Sequence, residues 1–168
     1  MKTNLEKFVE DIIRDSLKRI KDRPKYIKFV LEELDLYEKK KLWENFKYEV
    51  AINISSFYGK RFSKITKIFY GDIASGAWVQ IEEQFSERVT GADLDLLIIV
   101  SDTSIIHSIN KITDELDSYF IRFLRNDQFA AERISNNFLE IHVNDVYAKQ
   151  AEKDPGSCGA NIVYEKKS

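Results

Sequence analysis

Apolar residues recur every three or four positions through the first sixty residues, and then the period changes. Leu5, Phe8, Val9, Ile12, Ile13, Leu17 and Ile20 form one helical stripe. Asp22 to Pro24 breaks it, and Pro24 is placed to open a second helix with Tyr26, Phe29, Val30 and Leu34 on one face. A lysine-rich junction, Lys39 to Lys41, precedes a third stripe of Leu42, Trp43, Phe46, Val50, Ile54 and Phe57, with Gly59 as its expected stop. Ile65, Ile68, Phe69 and Tyr70 then read as a short strand ending at Gly71. Between Asp72 and Gly91, the residues Trp78, Val79, Ile81 and Phe85 fit either a helix face or an extended hairpin. Asp93 to Val100 reads as a buried strand. Thr103 or Ser104 is the expected cap of a long helix with the stripe Ile105, Ile109, Ile112, Leu116, Tyr119, Phe120 and Phe123, ended by Arg125-Asn126-Asp127. FLEIHV alternates, with Leu139, Ile141 and Val143 on one face and Glu140, His142 and Asn144 on the other. A short helix from Val146 to Glu152 and a final strand, Asn161 to Glu165, complete the chain. The predicted fold is α+β: a mixed sheet with helices mainly on one face, preceded by N-terminal helices. Residues 1–60 are expected to form a helical segment packed on a core of residues 61–168.

The strand from Asp93 to Val100 carries the first candidate chemistry. Side chains alternate across a strand, so Asp93 and Asp95 share a face, about 7 Å apart. Carboxylates on an otherwise apolar strand are costly unless compensated. A divalent cation is one compensation, because Mg²⁺ is held by one or two carboxylates together with substrate phosphates. A strand end presenting two solvated aspartates is the other reading.

Composition narrows the classes. The 168 residues are 43% hydrophobic and 12% aromatic, enough for a globular core and unlike a disordered chain. With 26 Lys and Arg against 28 Asp and Glu, no global basic field favours nucleic acid. The single cysteine, Cys158, excludes an intrachain disulfide framework and fits a reducing compartment. The opening MKTNLEKFVEDIIRDSLKRI lacks the apolar centre of a signal peptide, and no run of about 18 apolar residues occurs, so a cytoplasmic protein without a membrane partner is expected.

Three features point to one chemistry. The first strand ends in a glycine-containing turn, Gly71 to Gly76, whose backbone donors suit a phosphate. The next strand carries Asp93 and Asp95. A later strand carries Glu140 among apolar neighbours. If those strands are adjacent, three carboxylates gather beside a phosphate-binding turn, as metal-assisted phosphoryl or nucleotidyl transfer requires. The segment from Lys64 to Val143 resembles the DNA polymerase beta-like nucleotidyltransferase superfamily, in particular its minimal nucleotidyltransferase branch. The likeness is carried by Gly71, Ala74 and Gly76 in the turn, Asp93 and Asp95 in ADLDLLIIV, and Glu140 in FLEIHV. It implies an α+β palm in which Asp93, Asp95 and Glu140 hold Mg²⁺ or Mn²⁺, and in which Gly71, Asp72, Ser75 and Gly76 line the triphosphate side. The implied reaction moves a nucleoside monophosphate from a nucleoside triphosphate to an acceptor hydroxyl on a protein, a small molecule or an RNA end.

Two positions depart from the family pattern. Asp72 stands where the family has a phosphate-contacting serine, and Ser75 stands where an arginine is frequent. Sixteen residues, Ala77 to Ala92, separate the turn from the aspartates, more than in small members. A carboxylate at Asp72 repels a triphosphate, which motivates the alternative of a catalytically degenerate, antitoxin-like binding or regulatory protein with a helical protein partner. Among the remaining residues, Ser75 is a phosphate donor or an ordinary contact at a helix N-terminus. His142 shares the face of Glu140 and reads as a nearby base, a substrate contact or a hydrogen-bonded structural histidine. Glu132 and Asp145 compete with Glu140 as the third carboxylate.

Overall fold

Where the period lengthens or shortens in sequence, helix gives way to strand in space. The computed structural model describes residues 2–21, 36–71, 93–134, 136–158 and 160–167. Among them are α1 (Asn4–Lys21), α2 (Leu36–Arg61), β1 (Ile65–Tyr70), β2 (Leu94–Val100), α3 (Ile106–Leu124), α4 (Gln128–Ala131), β3 (Leu139–Val143), α5 (Val146–Lys153) and β4 (Asn161–Glu165). The sheet runs β3-β2-β1-β4. β1 is antiparallel to both β2 and β4, whereas β2 and β3 are parallel. A parallel pair needs a crossover, and α3 supplies it. The architecture is the α+β mixed sheet expected from the pattern. No helix among the described residues is long and apolar enough to cross a membrane.

Alternation divides the sheet into two faces. Leu94, Leu96, Ile98 and Val100 of β2 enter the main core, which also takes Val9, Ile13 and Ile20 of α1, Trp43, Phe46 and Ile54 of α2, and Ile109, Leu116 and Phe120 of α3. Leu97 and Ile99 face the other way, where they meet Phe69 of β1 and the small residues Ala148 and Ala151 of α5. α5 covers part of that second face, and His142 lies beside it, edge-on to Tyr147, with Asp95 and Glu140 next along the strand pair.

An aromatic cluster locks the helices to the start of β3. Trp43 stacks on Phe46 at 5.0 Å and meets Phe129 and Phe138 edge-on at 5.9 and 5.8 Å. Phe120 lies 5.1 Å from Phe138. Phe138 is fully buried, and its carbonyl accepts the Leu94 N–H at 2.6 Å, the first rung joining β3 to β2. Asp117 of α3 finishes this junction: its Oδ1 accepts the N–H groups of Phe138 and Leu139 at 2.8 and 2.7 Å.

Several local expectations change. The helix predicted from Leu42 begins at Leu36 and runs through Lys39 to Lys41, because lysine is a good helix former and supplies no break. Gly59 does not stop it. A Cβ at Gly59 would lie 2.2 Å from the ring of Tyr164, so the glycine is there to admit β4 against the helix. The cap before α3 is Asp102, whose side chain accepts Ser104 N–H in a short 3₁₀ turn, Thr103–Ile105. Asp127 caps α4, a helix too short to show periodicity. Within α3 the buried positions include Thr113 and Leu124, whereas Tyr119 and Phe123 are only partly covered. The second predicted helix and the segment Asp72 to Gly91 lie outside the described residues.

Thr113 is buried because Tyr58 needs it. Thr113 Oγ1 donates to Ile109 O at 2.7 Å, and so accepts from Tyr58 Oη at 2.5 Å. Burial raises the Tyr58 phenol well above the ordinary tyrosine range. The native state therefore holds this proton longer than the unfolded chain, and stability is lost as pH rises past the unfolded value of about 10. Tyr58→Phe is expected to cost about 0.5–1.5 kcal/mol at neutral pH and to flatten the alkaline limb of the stability curve. Urea unfolding at pH 7 and above pH 10 checks both; an unchanged alkaline limb would contradict the assignment.

Candidate metal centre

The parallel register of β2 and β3 sets Asp95 opposite Glu140 and Leu97 opposite His142. All four share the face away from the main core, so one strand pair brings together residues 45 positions apart (140 − 95). A carboxylate oxygen of Asp95, one of Glu140 and a ring nitrogen of His142 lie within 4.8 Å of one another. Asp93 joins them from the residue before β2. Burial pushes its carboxyl above the usual aspartate range, and the hydrogen bond and negative charge of Glu140 push it further, while Lys47 pulls in the opposite direction. Glu140 thus lies against Asp95 and interacts with Asp93, while the compact group among the described residues is Asp95, Glu140 and His142, without Asp93.

The surrounding residues hold the cluster from below and from the side. Lys47 of α2 is 3% exposed, and its Nζ donates to Asp93 O at 3.2 Å. It also pairs with Glu44 Oε1 at 2.7 Å, and Glu44 Oε2 accepts from Tyr70 Oη at 2.9 Å. This chain anchors the entry to β2. On β3, His142 Nδ1 lies 2.7 Å from Asp145 Oδ2. A carboxylate can only accept, so Nδ1 carries a proton, and in the neutral ring Nε2 presents a lone pair. Nε2 lies 3.8 Å from Glu140 Oε1. The other oxygen of Asp145 caps α5 by accepting Ala148 N–H at 2.9 Å. One carboxylate thus fixes both the imidazole and the helix that covers the neighbouring face.

Asn144 closes the end of the strand pair. It adopts a left-handed backbone, φ 52°, which asparagine tolerates better than most residues. Its side-chain amide accepts from Val100 N at 2.9 Å and donates to Val100 O at 3.0 Å.

The turn residues divide. Gly71 is buried at the end of β1, and a Cβ there would lie 2.8 Å from Ala160 Cα, so its missing side chain is required by packing against the segment before β4. Asp72, Ser75 and Gly76 lie outside the described residues. Lys47, Asp117 and Asn144 support the site without belonging to a motif. Lys47 carried a signal: it lies four residues after Trp43 and three before Val50, on a stripe that is otherwise buried, and a buried lysine must meet an anion or a carbonyl. Asp117 and Asn144 act through strand order, which has no local signature. No protein-family profile, curated protein or solved structure matches the chain.

Like charges facing each other across a sheet destabilise it. Without metal, Glu140→Gln is therefore expected to raise folding stability by about 0.2–1 kcal/mol, since the amide can donate to its carboxylate neighbours. Denaturant unfolding in the presence of a chelator checks this; a destabilised variant would contradict the repulsion.

Proposed function

We propose that the chain is a metal-dependent nucleotidyltransferase that moves a nucleoside monophosphate from a nucleoside triphosphate to an acceptor hydroxyl. The observation carrying this reading is the β2/β3 register, which places Glu140 beside the Asp93–Asp95 pair on the face not used by the main core. The donor set suits a hard divalent cation: carboxylate oxygens, partly exposed, on a rigid strand pair. Asp95 and Glu140 are the residues that would hold Mg²⁺ or Mn²⁺, with Asp93 at the entrance. A bound divalent ion would neutralise charge on the phosphates as the bond to the leaving pyrophosphate breaks. The chain's own contribution is positional. The β2/β3 register fixes the spacing of Asp95 and Glu140, Lys47 holds the Asp93 backbone, and Asp117 sets where β3 begins.

The test is incubation with labelled nucleoside triphosphates, Mg²⁺ or Mn²⁺ and acceptor hydroxyls of the three classes: protein side chains, small molecules and RNA ends. Label transfer that disappears in Asp93→Asn and Asp95→Asn supports the reading. Absence of both transfer and metal-dependent nucleotide binding refutes it. The second reading, a degenerate binding protein, draws on Asp72. A helical partner that co-purifies equally well with the doubly substituted chain favours it.

A further inference from the structure

Mg²⁺ takes oxygen ligands, yet the described residues place an imidazole nitrogen beside the two facing carboxylates. His142 is 12% exposed, and its Nε2 atom is buried without a hydrogen bond. A neutral imidazole with Nδ1 bound to a carboxylate is the arrangement in which a histidine ligates a metal through Nε2, its ring orientation and tautomer both fixed. Here Asp145 provides that carboxylate at 2.7 Å, and Asp145 is itself fixed as the cap of α5. The 3.8 Å between Nε2 and Glu140 Oε1 is too long for a hydrogen bond, but two ligands of one ion, each roughly 2.0–2.2 Å from it, sit about 3–4 Å apart. Asp95 lies opposite Glu140 in the strand register, and the ligand atoms of all three residues fall within 4.8 Å. The Glu140 side chain is 40% exposed.

We propose that His142 Nε2 is a third protein ligand, with Asp95 and Glu140, of a single divalent cation, and that Asp145 positions it. The inference rests on reading Asp95 and Glu140 as metal ligands and adds a consequence for which ion is held. Two carboxylates alone suit Mg²⁺, whereas an imidazole suits ions such as Zn²⁺, Co²⁺ or Fe²⁺ and adds little to Mg²⁺ binding. The centre therefore prefers a transition ion over Mg²⁺. Asp145 is a positioning residue, because it reaches the ion only through the ring.

The experiment uses the full chain stripped of metal. Pulsed electron paramagnetic resonance of the Mn²⁺-loaded protein reads directly coordinated nitrogen, and calorimetry compares Co²⁺ with Mg²⁺. Nitrogen coupling is expected in the wild type and absent from His142→Ala. Asp145→Asn keeps an oxygen to cap α5, so metal-free melting is expected to be unchanged while Co²⁺ affinity falls by about 10–100-fold. His142→Ala is expected to lose at least as much Co²⁺ affinity and to leave Mg²⁺ affinity nearly as it was. Absence of nitrogen coupling in the wild type, or Co²⁺ affinity unchanged in His142→Ala, overturns the proposal. The two readings fail separately. Nitrogen coupling without nucleotidyl transfer keeps the imidazole ligand and rejects the transferase; Mg²⁺-supported transfer without nitrogen coupling does the reverse.

Discussion

Phe138→Ala is expected to cost about 3–5 kcal/mol of folding stability and to lower the melting temperature by roughly 6–20 °C. The ring is fully buried between Trp43, Phe46 and Phe120, at centroid distances of 5.8, 6.1 and 5.1 Å. Its removal opens a cavity that three large, rigid rings cannot collapse to fill. The consequence reaches the candidate centre, because the Phe138 carbonyl accepts the Leu94 N–H and Glu140 follows two residues later. The surviving folded fraction is therefore expected to bind Co²⁺ more weakly, although Phe138 is no ligand. Phe138→Leu, which keeps most of the volume, is expected to show a smaller loss of both properties. Thermal melting and calorimetry of the two variants decide the matter. A Phe138→Ala protein as stable as wild type would mean that the aromatic cluster does not hold β3.

Asp95→Asn is expected to separate stability from chemistry. The amide keeps the shape of the carboxylate and removes a negative charge from a site shared with Asp93 and Glu140. Folding stability in chelator is expected to hold or rise. Divalent-cation affinity is expected to fall by more than about 100-fold, because disturbing only the residues behind a metal ligand already costs about 10–100-fold. Nucleotidyl transfer, if the chain performs it, is expected to fall in step. Calorimetric titration with Co²⁺ and Mn²⁺, with circular dichroism as the folding control, measures this. Metal affinity equal to wild type would remove Asp95 from the centre.

These two residues also show what can be read from a sequence and what cannot. Alternation along FLEIHV assigned Glu140 and His142 to one face and Leu139, Ile141 and Val143 to the other, and the strand in space follows it. The same holds for β2, where Asp95 opposes the face of Leu94, Leu96 and Ile98. The three- and four-residue spacing located α1 and α3 closely. Strand order is different in kind. Nothing local states that β3 lies beside β2, parallel and in the register that sets Asp95 against Glu140; that follows from the crossover of α3 and from where Phe138 packs. Gly59 is governed by a distant contact in the same way. A glycine near a helix end suggests a stop, but this one answers to Tyr164, more than a hundred residues away. His142 was legible as a residue on the right face. Its tautomer depends on Asp145, whose second oxygen is committed to a helix cap.

Asn144 has one more consequence. Its amide pairs with both backbone groups of Val100 after the chain of β3 has already turned away. The side chain thus impersonates one more strand residue, and the outer ladder is hydrogen-bonded beyond the point where its backbone ends. Exposed, unpaired strand edges recruit the edges of other molecules. Asn144 thus leaves neither backbone group of Val100 open where β3 ends, next to the β3 segment that carries Glu140 and His142.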